Sequence, residues 1–123
     1  RGYEVRYYPA QALIDRFERV RFNREAGADD LTAMQEILSC DLLILDDLGA
    51  EFATAYSQSV LYQVINDRMT EGRTTIISTN LNHNEISALY DERITSRIYT
   101  TYTCLHFVGQ DVRVLKKSRM QNG

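Results

Sequence analysis

The 123-residue sequence predicts an α/β domain built on a mostly parallel sheet. Three observations predict it. DLLILD (41–46) is a continuous apolar run of strand length, as in a parallel strand covered on both faces. RTTIIST (73–79) is a second run, rich in β-branched residues. Around both lie stretches whose apolar residues recur at helical spacing, so strands and helices alternate.

The elements follow in order. YEVRYY (3–8) is β-branched and aromatic and reads as a strand. Pro9 ends it and suits the first turn of a helix. From Ala12, the residues Leu13, Ile14, Phe17, Val20 and Phe22 fall near helical spacing, with Arg16, Arg19 and Arg24 off that stripe. GADD (27–30) is a break with Asp30 as the expected N-cap of a short helix over 31–38. The DLLILD strand comes next. A longer helix is expected over 55–70, with Val60, Leu61, Val64, Ile65 and Met69 as its apolar stripe and Gly72 as its stop. The 73–79 strand follows and ends in Asn80. Short helices are expected over 84–90 and 91–99, with Asp91 and Glu92 suited to a helix start, and His83 in the loop before them. CLHFV (104–108) reads as a last strand before a basic tail.

Composition bounds the function. The length fits one domain with a real core. No apolar run approaches membrane-spanning length and no signal-peptide pattern precedes the first strand, so a cytoplasmic protein is expected. Cys40 and Cys104 lie far apart without metal-type spacing and read as buried thiols. Residues 1–25 hold six Arg and four acids, 26–100 hold four Arg and twelve acids, and 101–123 hold four basic residues and one acid. Basic ends fit phosphate partners, and an acidic middle around Asp46 and Asp47 fits a cation. Uneven solvated faces would give the same counts.

The fold places the chemistry. Ligands of open α/β sheets bind beyond the carboxyl ends of the strands. Asp46 and Asp47 end one strand; Thr79 and Asn80 end the next. If the strands are neighbours, two carboxylates and an amide converge. One aspartate can then hold Mg²⁺, the second can orient or deprotonate a water, and Asn80 can bond that water or a γ-phosphate. This is the layout of a Walker B strand followed by a polar sensor strand.

LLILDDLG, NDR (66–68), GRTTIISTN (72–80) and ERITSRI (92–98), in this order and spacing, resemble the AAA+ module of the DnaC/DnaI-type helicase loaders. The likeness runs from about residue 3 to the end. It is greater than to the IstB-type transposition helper ATPases, where DE is expected instead of DD. The resemblance implies a P-loop-type three-layer αβα fold and ATP with Mg²⁺ as cofactors. Asp46 would be the Mg²⁺-coordinating acid, Asp47 would take the place of the catalytic Glu, and Asn80 would be sensor 1. Arg97 would be an arginine finger entering a neighbouring subunit's ATP site, which implies self-association. A salt bridge between Arg97 and Asp91 is the structural alternative. Arg113 is either a sensor 2-like arginine or a surface charge.

No G-x-x-x-x-G-K-[ST] loop occurs in the chain. The sequence therefore reads as residues 1–123 of a partial AAA+ domain, with the Walker A strand and helix upstream of Arg1. In the family that strand lies between the sensor strand and the last strand, so the sheet of these residues alone would expose edges. The resemblance also implies a replicative helicase as partner, recognised by a region upstream, and contact with single-stranded DNA through the 13–39 segment. Arg16, Arg19, Arg21 and Arg24, with Phe17 and Phe22 interleaved, have the composition of a single-strand groove. Asp15, Glu18 and Glu25 dilute that charge, and Phe17 sits on the apolar stripe.

Two other classes compete. A phosphorylation-switch receiver also clusters aspartates at strand ends, but it needs a lysine closing a late strand, and CLHFV ends in Gly109. A nucleotide-free interaction module with the AAA+ shape is the second. The intact DD, STN and SRI positions argue against that decay.

Overall fold

The computed structural model describes residues 2–22 and 27–104. Strands β1 (Val5–Pro9), β2 (Leu42–Leu48) and β3 (Thr74–Thr79) form one parallel sheet in the order β1-β2-β3. The helices are α1 (Ala10–Phe22), α2 (Ala28–Ser39), α3 (Ala55–Thr70), α4 (His83–Leu89) and α5 (Glu92–Thr101). The expected last strand, the basic tail, His106, Arg113 and Arg24 lie outside the described residues.

Register fixes the two faces. Tyr7 stands opposite Ile44, and Ile44 opposite Ile76. Their neighbours Leu43 and Leu45 are fully buried, in a core with Leu13, Ile14 and Phe17 of α1, Ile37 of α2, and Leu61, Val64 and Ile65 of α3. Ile86, Ile94 and Ile98 close that core from α4 and α5. The other face is open among the described residues, with Val5 44%, Tyr7 56% and Ile76 50% exposed. The expectation that β2 is covered on both faces is thus corrected for these residues. An apolar run marks a strand without fixing what lies on each side of it, and Leu42 and Ile44 are half-buried beside their strand neighbours.

Local chemistry sets the element ends. Pro9 is the last residue of β1, and α1 starts directly after it, two residues earlier than expected. Asp30 is not the N-cap of α2. Gly27 holds that position without a side-chain bond, and Asp30 sits in the first turn, where Arg16 and Arg19 each reach its Oδ1 at 3.0 Å. Two guanidinium donors outcompete the helix amides for that carboxylate. Thr54 and Ser57 form a capping box on α3, and Asn82 and Glu85 form one on α4. Asp91 caps α5, accepting from the Ile94 N–H at 3.2 Å. Gly72 (φ 70°) stops α3 as expected. The Arg73 N–H reaches Arg68 O at 2.8 Å and the Gly72 N–H reaches Met69 O at 3.1 Å, a Schellman pair that needs the left-handed residue.

Two smaller expectations are corrected. His83 opens α4, with its ring 4.2 Å from that of Tyr99, instead of lying in a loop. Cys40 is buried, but Cys104 is exposed; both are free thiols. Arg68, on the apolar side of α3, is completely buried. Its Nε donates to Thr75 Oγ1 (2.9 Å), Nη1 to Ile37 O (3.0 Å) and Nη2 to Thr74 O (2.7 Å).

Candidate functional site

β2 runs through both aspartates, and β3 is its hydrogen-bonded neighbour, so the two strand ends adjoin as the sequence requires. Asp46 lies on the open face of the sheet. Tyr7 donates its hydroxyl to Asp46 Oδ2 at 2.5 Å, and Ser78 donates to Asp46 Oδ1 through a very short bond. These two bonds, Ser78 first, hold the Asp46 carboxyl below the usual carboxylate range, and the Asp47 N–H assists. The same contact pushes the Tyr7 phenol up. Asp46 is therefore an ionised carboxylate whose two oxygens are both oriented by hydroxyls.

Asp47 is exposed and has φ 60°, a left-handed conformation that a residue with a Cβ seldom adopts. Its surroundings hold it there. Its N–H donates to Ser78 Oγ at 3.1 Å. Thr79 Oγ1 donates to Leu48 O at 2.6 Å, and the Ala50 N–H closes a turn on Asp47 O at 3.2 Å. β2 and β3 shift register between Leu45 and Leu48, where the strand turns its second aspartate outward. Gly49 follows with φ 101°; a Cβ there would meet Leu81 Cδ1 at 2.4 Å. The glycine is thus required by conformation and by space.

The other site residues distribute as follows. Asn80 lies just past β3 and is exposed; the side chain that β3 brings to Asp46 is Ser78. Arg97 and Arg93 share one face of α5, as their spacing requires, and both meet Tyr62 of α3. The Arg93 guanidinium is 4.5 Å from the ring centre and that of Arg97 is 5.5 Å, while Arg97 Nη2 donates to the Tyr62 hydroxyl at 3.3 Å. Asp91 pairs with Arg93 at 3.4 Å, so the Asp91 salt bridge weighed for Arg97 is made by Arg93 instead. Arg97 Nε is buried without a partner among the described residues. On α1, Arg16 and Arg19 are both engaged by Asp30, whose carboxyl they pull down, Arg19 most. Arg21 lies 5.6 Å from the ring centre of Phe22 and 5.8 Å from that of Tyr56, and Phe22 is 65% exposed. Phe17 is core.

Tyr7 and Ser78 are the site residues that sequence reasoning missed. The signal for Ser78 was present: it is two residues before Asn80, on the same strand, and Asp46 is on the neighbouring strand. Tyr7 had no such signal, because the pairing of β1 with β2 is not written in either run.

The implied Mg²⁺ can be tested against these donors. Among the described residues no group of three or more His, Cys, Asp or Glu is gathered to hold a metal. The site instead offers two adjacent carboxylates with hydroxyls around one of them. That all-oxygen set fits Mg²⁺, which binds one or two carboxylates and takes waters and phosphate oxygens for the rest.

No helix of the described residues is long and apolar enough to cross a membrane. The chain is 27% identical over 75 residues to the replicative helicase loader DnaC of Escherichia coli strain K12, covering 61% of this chain and 31% of that protein. It is 35% identical over 65 residues to YdaV of the same strain, an uncharacterized protein, covering 53% of this chain and 26% of that one. The chain thus spans about a third of the length of the curated relatives it matches. A crystal structure of the DnaC helicase loader superposes with a TM-score of 0.70 at 22% identity, covering 84% of this chain and 60% of that chain, which shows the same α/β fold. The family described as IstB-like ATP binding protein matches residues 1–118, and with β2 ending in Asp46 and Asp47 beside β3, the chain belongs to that ATP-binding family.

Proposed function

We propose that this chain is the Walker B-to-α5 part of an AAA+ ATPase that loads a replicative helicase during DNA replication in the cytoplasm. The observation that carries this reading is Asp46 at the carboxyl end of β2, oriented on both oxygens by hydroxyls, with Asp47 turned outward beside it. Mg²⁺ bound with ATP would supply charge neutralisation at the phosphates. Asp46 would hold that ion, and release of one hydroxyl donor would open an oxygen to it. Asp47 would orient or deprotonate the attacking water. Asn80, exposed past β3, would bond the water or the γ-phosphate. Arg97 would leave Tyr62 to stabilise phosphoryl charge in the neighbouring subunit. Arg113 would act as a sensor 2-like arginine. No G-x-x-x-x-G-K-[ST] loop occurs in these 123 residues, and a replicative helicase would be the partner.

Single-stranded DNA would lie along α1. Arg21 suits this role better than Arg16 and Arg19, whose charge Asp30 already offsets. Arg24 would add its charge to the phosphate contact. The second reading is a transposition helper ATPase; the IstB name of the matching family favours it, and the DnaC relatives favour the first.

The test is made in a longer parent chain, provided that it carries a phosphate-binding loop. Asp46→Asn is expected to abolish Mg²⁺-dependent ATP hydrolysis. Asp47→Asn is expected to slow hydrolysis with ATP still bound. Wild-type turnover in Asp47→Asn would end its catalytic assignment. Stimulated loading of a replicative helicase onto single strands separates loader from transposition helper.

A further inference from the structure

Glu51 and Tyr90 are a buried polar pair that the site described above does not use. Glu51 is 5% exposed and Tyr90 is 3% exposed. The Tyr90 hydroxyl donates to Glu51 Oε2 in a very short bond, and the Gly49 N–H donates to Glu51 Oε1 at 2.8 Å. Burying a carboxyl and a phenol hydroxyl is unfavourable unless each is satisfied, and an apolar pair would fill the same space without that cost. What a satisfied pair adds is direction: it fixes the groups at its two ends relative to one another.

Those two ends are the informative part. Glu51 closes the turn that begins at Asp47, and through Gly49 it holds the loop whose left-handed first residue is the outward aspartate. Tyr90 is the last residue of the α4 end, its N–H bonded to Ile86 O at 3.0 Å. The next residue, Asp91, caps α5 and donates its own N–H to Gln58 Oε1 of α3 at 2.9 Å. α5 carries Arg97. One run of hydrogen-bonded groups, Gly49–Glu51–Tyr90, therefore joins the Asp47 turn to the start of the Arg97 helix.

We propose that Glu51 and Tyr90 are positioning residues that hold the Asp47 turn and the Arg97 helix in one geometry, so that a subunit's own ATP site and its contribution to a neighbour's are set together. This rests on the ATPase reading above for the roles of Asp47 and Arg97. The physical link itself does not depend on it.

Two variants test the link. Tyr90→Phe removes the hydroxyl and keeps the ring that packs in the core. Glu51→Gln keeps an oxygen for the Gly49 N–H and an amide that can donate to the Tyr90 hydroxyl. Amide hydrogen exchange is measured first, without nucleotide, because it reads local opening. Tyr90→Phe is expected to speed exchange tenfold or more at Gly49 together with Ile94 and Thr95, leaving α1 and α2 unchanged, and Glu51→Gln is expected to keep most of the protection. Loosening at Gly49 alone, or equally in every element, overturns the proposal. Hydrolysis in the longer chain is read second. Tyr90→Phe should lower kcat at least fivefold with KM for ATP within twofold, and Glu51→Gln should lie between it and wild type. An unchanged kcat beside a lowered melting temperature makes the pair core packing and overturns the proposal. If the wild-type protein hydrolyses no ATP, the ATPase reading fails by itself, and the exchange result still decides the link.

Discussion

Arg68 carries the largest stability effect expected of a single side chain here. It is fully buried, and its donors serve Ile37 O, Thr74 O and Thr75 Oγ1, with Cys40 Sγ 3.4 Å from Nη1. Ile37 lies in the last turn of α2, which has no basic residue of its own there. The guanidinium from α3 thus supplies the positive charge that a helix C-terminus favours. In Arg68→Ala, Ile37 O loses its partner in the core, at about 2 kcal/mol, and Thr74 O, nearer water, at about 1 kcal/mol. Loss of the buried methylenes adds roughly 1–2 kcal/mol. The sum is on the order of 4 kcal/mol, a large share of a typical domain's stability of about 5–15 kcal/mol. For a domain of this size that lowers the melting temperature by on the order of 15 °C. Arg68→Met keeps the stem and loses the donors, so about two-thirds of the effect is expected. Arg68→Lys brings one ammonium to one point and cannot serve acceptors on α2 and β3 together; it is expected to resemble Met more than Arg. Urea unfolding of the set measures this. Arg68→Met as stable as wild type would refute the hydrogen-bond reasoning, because buried charge can be worth less than its apolar replacement.

Mixing Arg97→Ala subunits with Asp46→Asn subunits should recover part of the hydrolysis each lacks, since one interface of the mixed assembly is whole; a purely structural Arg97 gives no rescue and a lower melting temperature. Arg21→Ala should weaken single-strand binding and flatten its salt dependence, because each phosphate contact releases counterion; an unchanged slope leaves Arg21 a solvated cation on its aromatic neighbours. Asp30 has a folded pKa below its unfolded value of about 4, so its contribution is present above that pH and is lost as pH falls through the lower folded value. Asp30→Asn should therefore remove part of the acid-side fall in stability and leave the curve above pH about 5 parallel to wild type.

The elements were legible where a local rule decides them. α3 was read over its observed range because its apolar stripe and Gly72 are both local signals. The adjacency of β2 and β3 is only a condition in the sequence; the pairing meets it and places Asp46 and Asp47 at the expected sheet end. Residue choices that depend on a distant partner were not legible. Asp30 has the chemistry of a cap, and only the packing of α1 on α2 gives it two arginines instead. Arg68 carries no local sign of burial, which comes only with α2 ending above it. Tyr7 reads as strand filler until β1 lies beside β2. Glu51 reads as a loop carboxylate until Tyr90 arrives from 39 residues away.

The φ of 60° at Asp47 sets two searches against each other. A backbone in that region is cheapest for glycine, and replacing a strained residue with glycine there relieves the Cβ crowding. A laboratory selection for heat tolerance alone would then be drawn toward glycine at 47, and it would discard the carboxylate without noticing. A selection for ATP-dependent loading would hold the aspartate and accept the strain. Libraries randomised at this one codon and sorted both ways should part company, with the two winners differing at the position where folding and chemistry have different preferences.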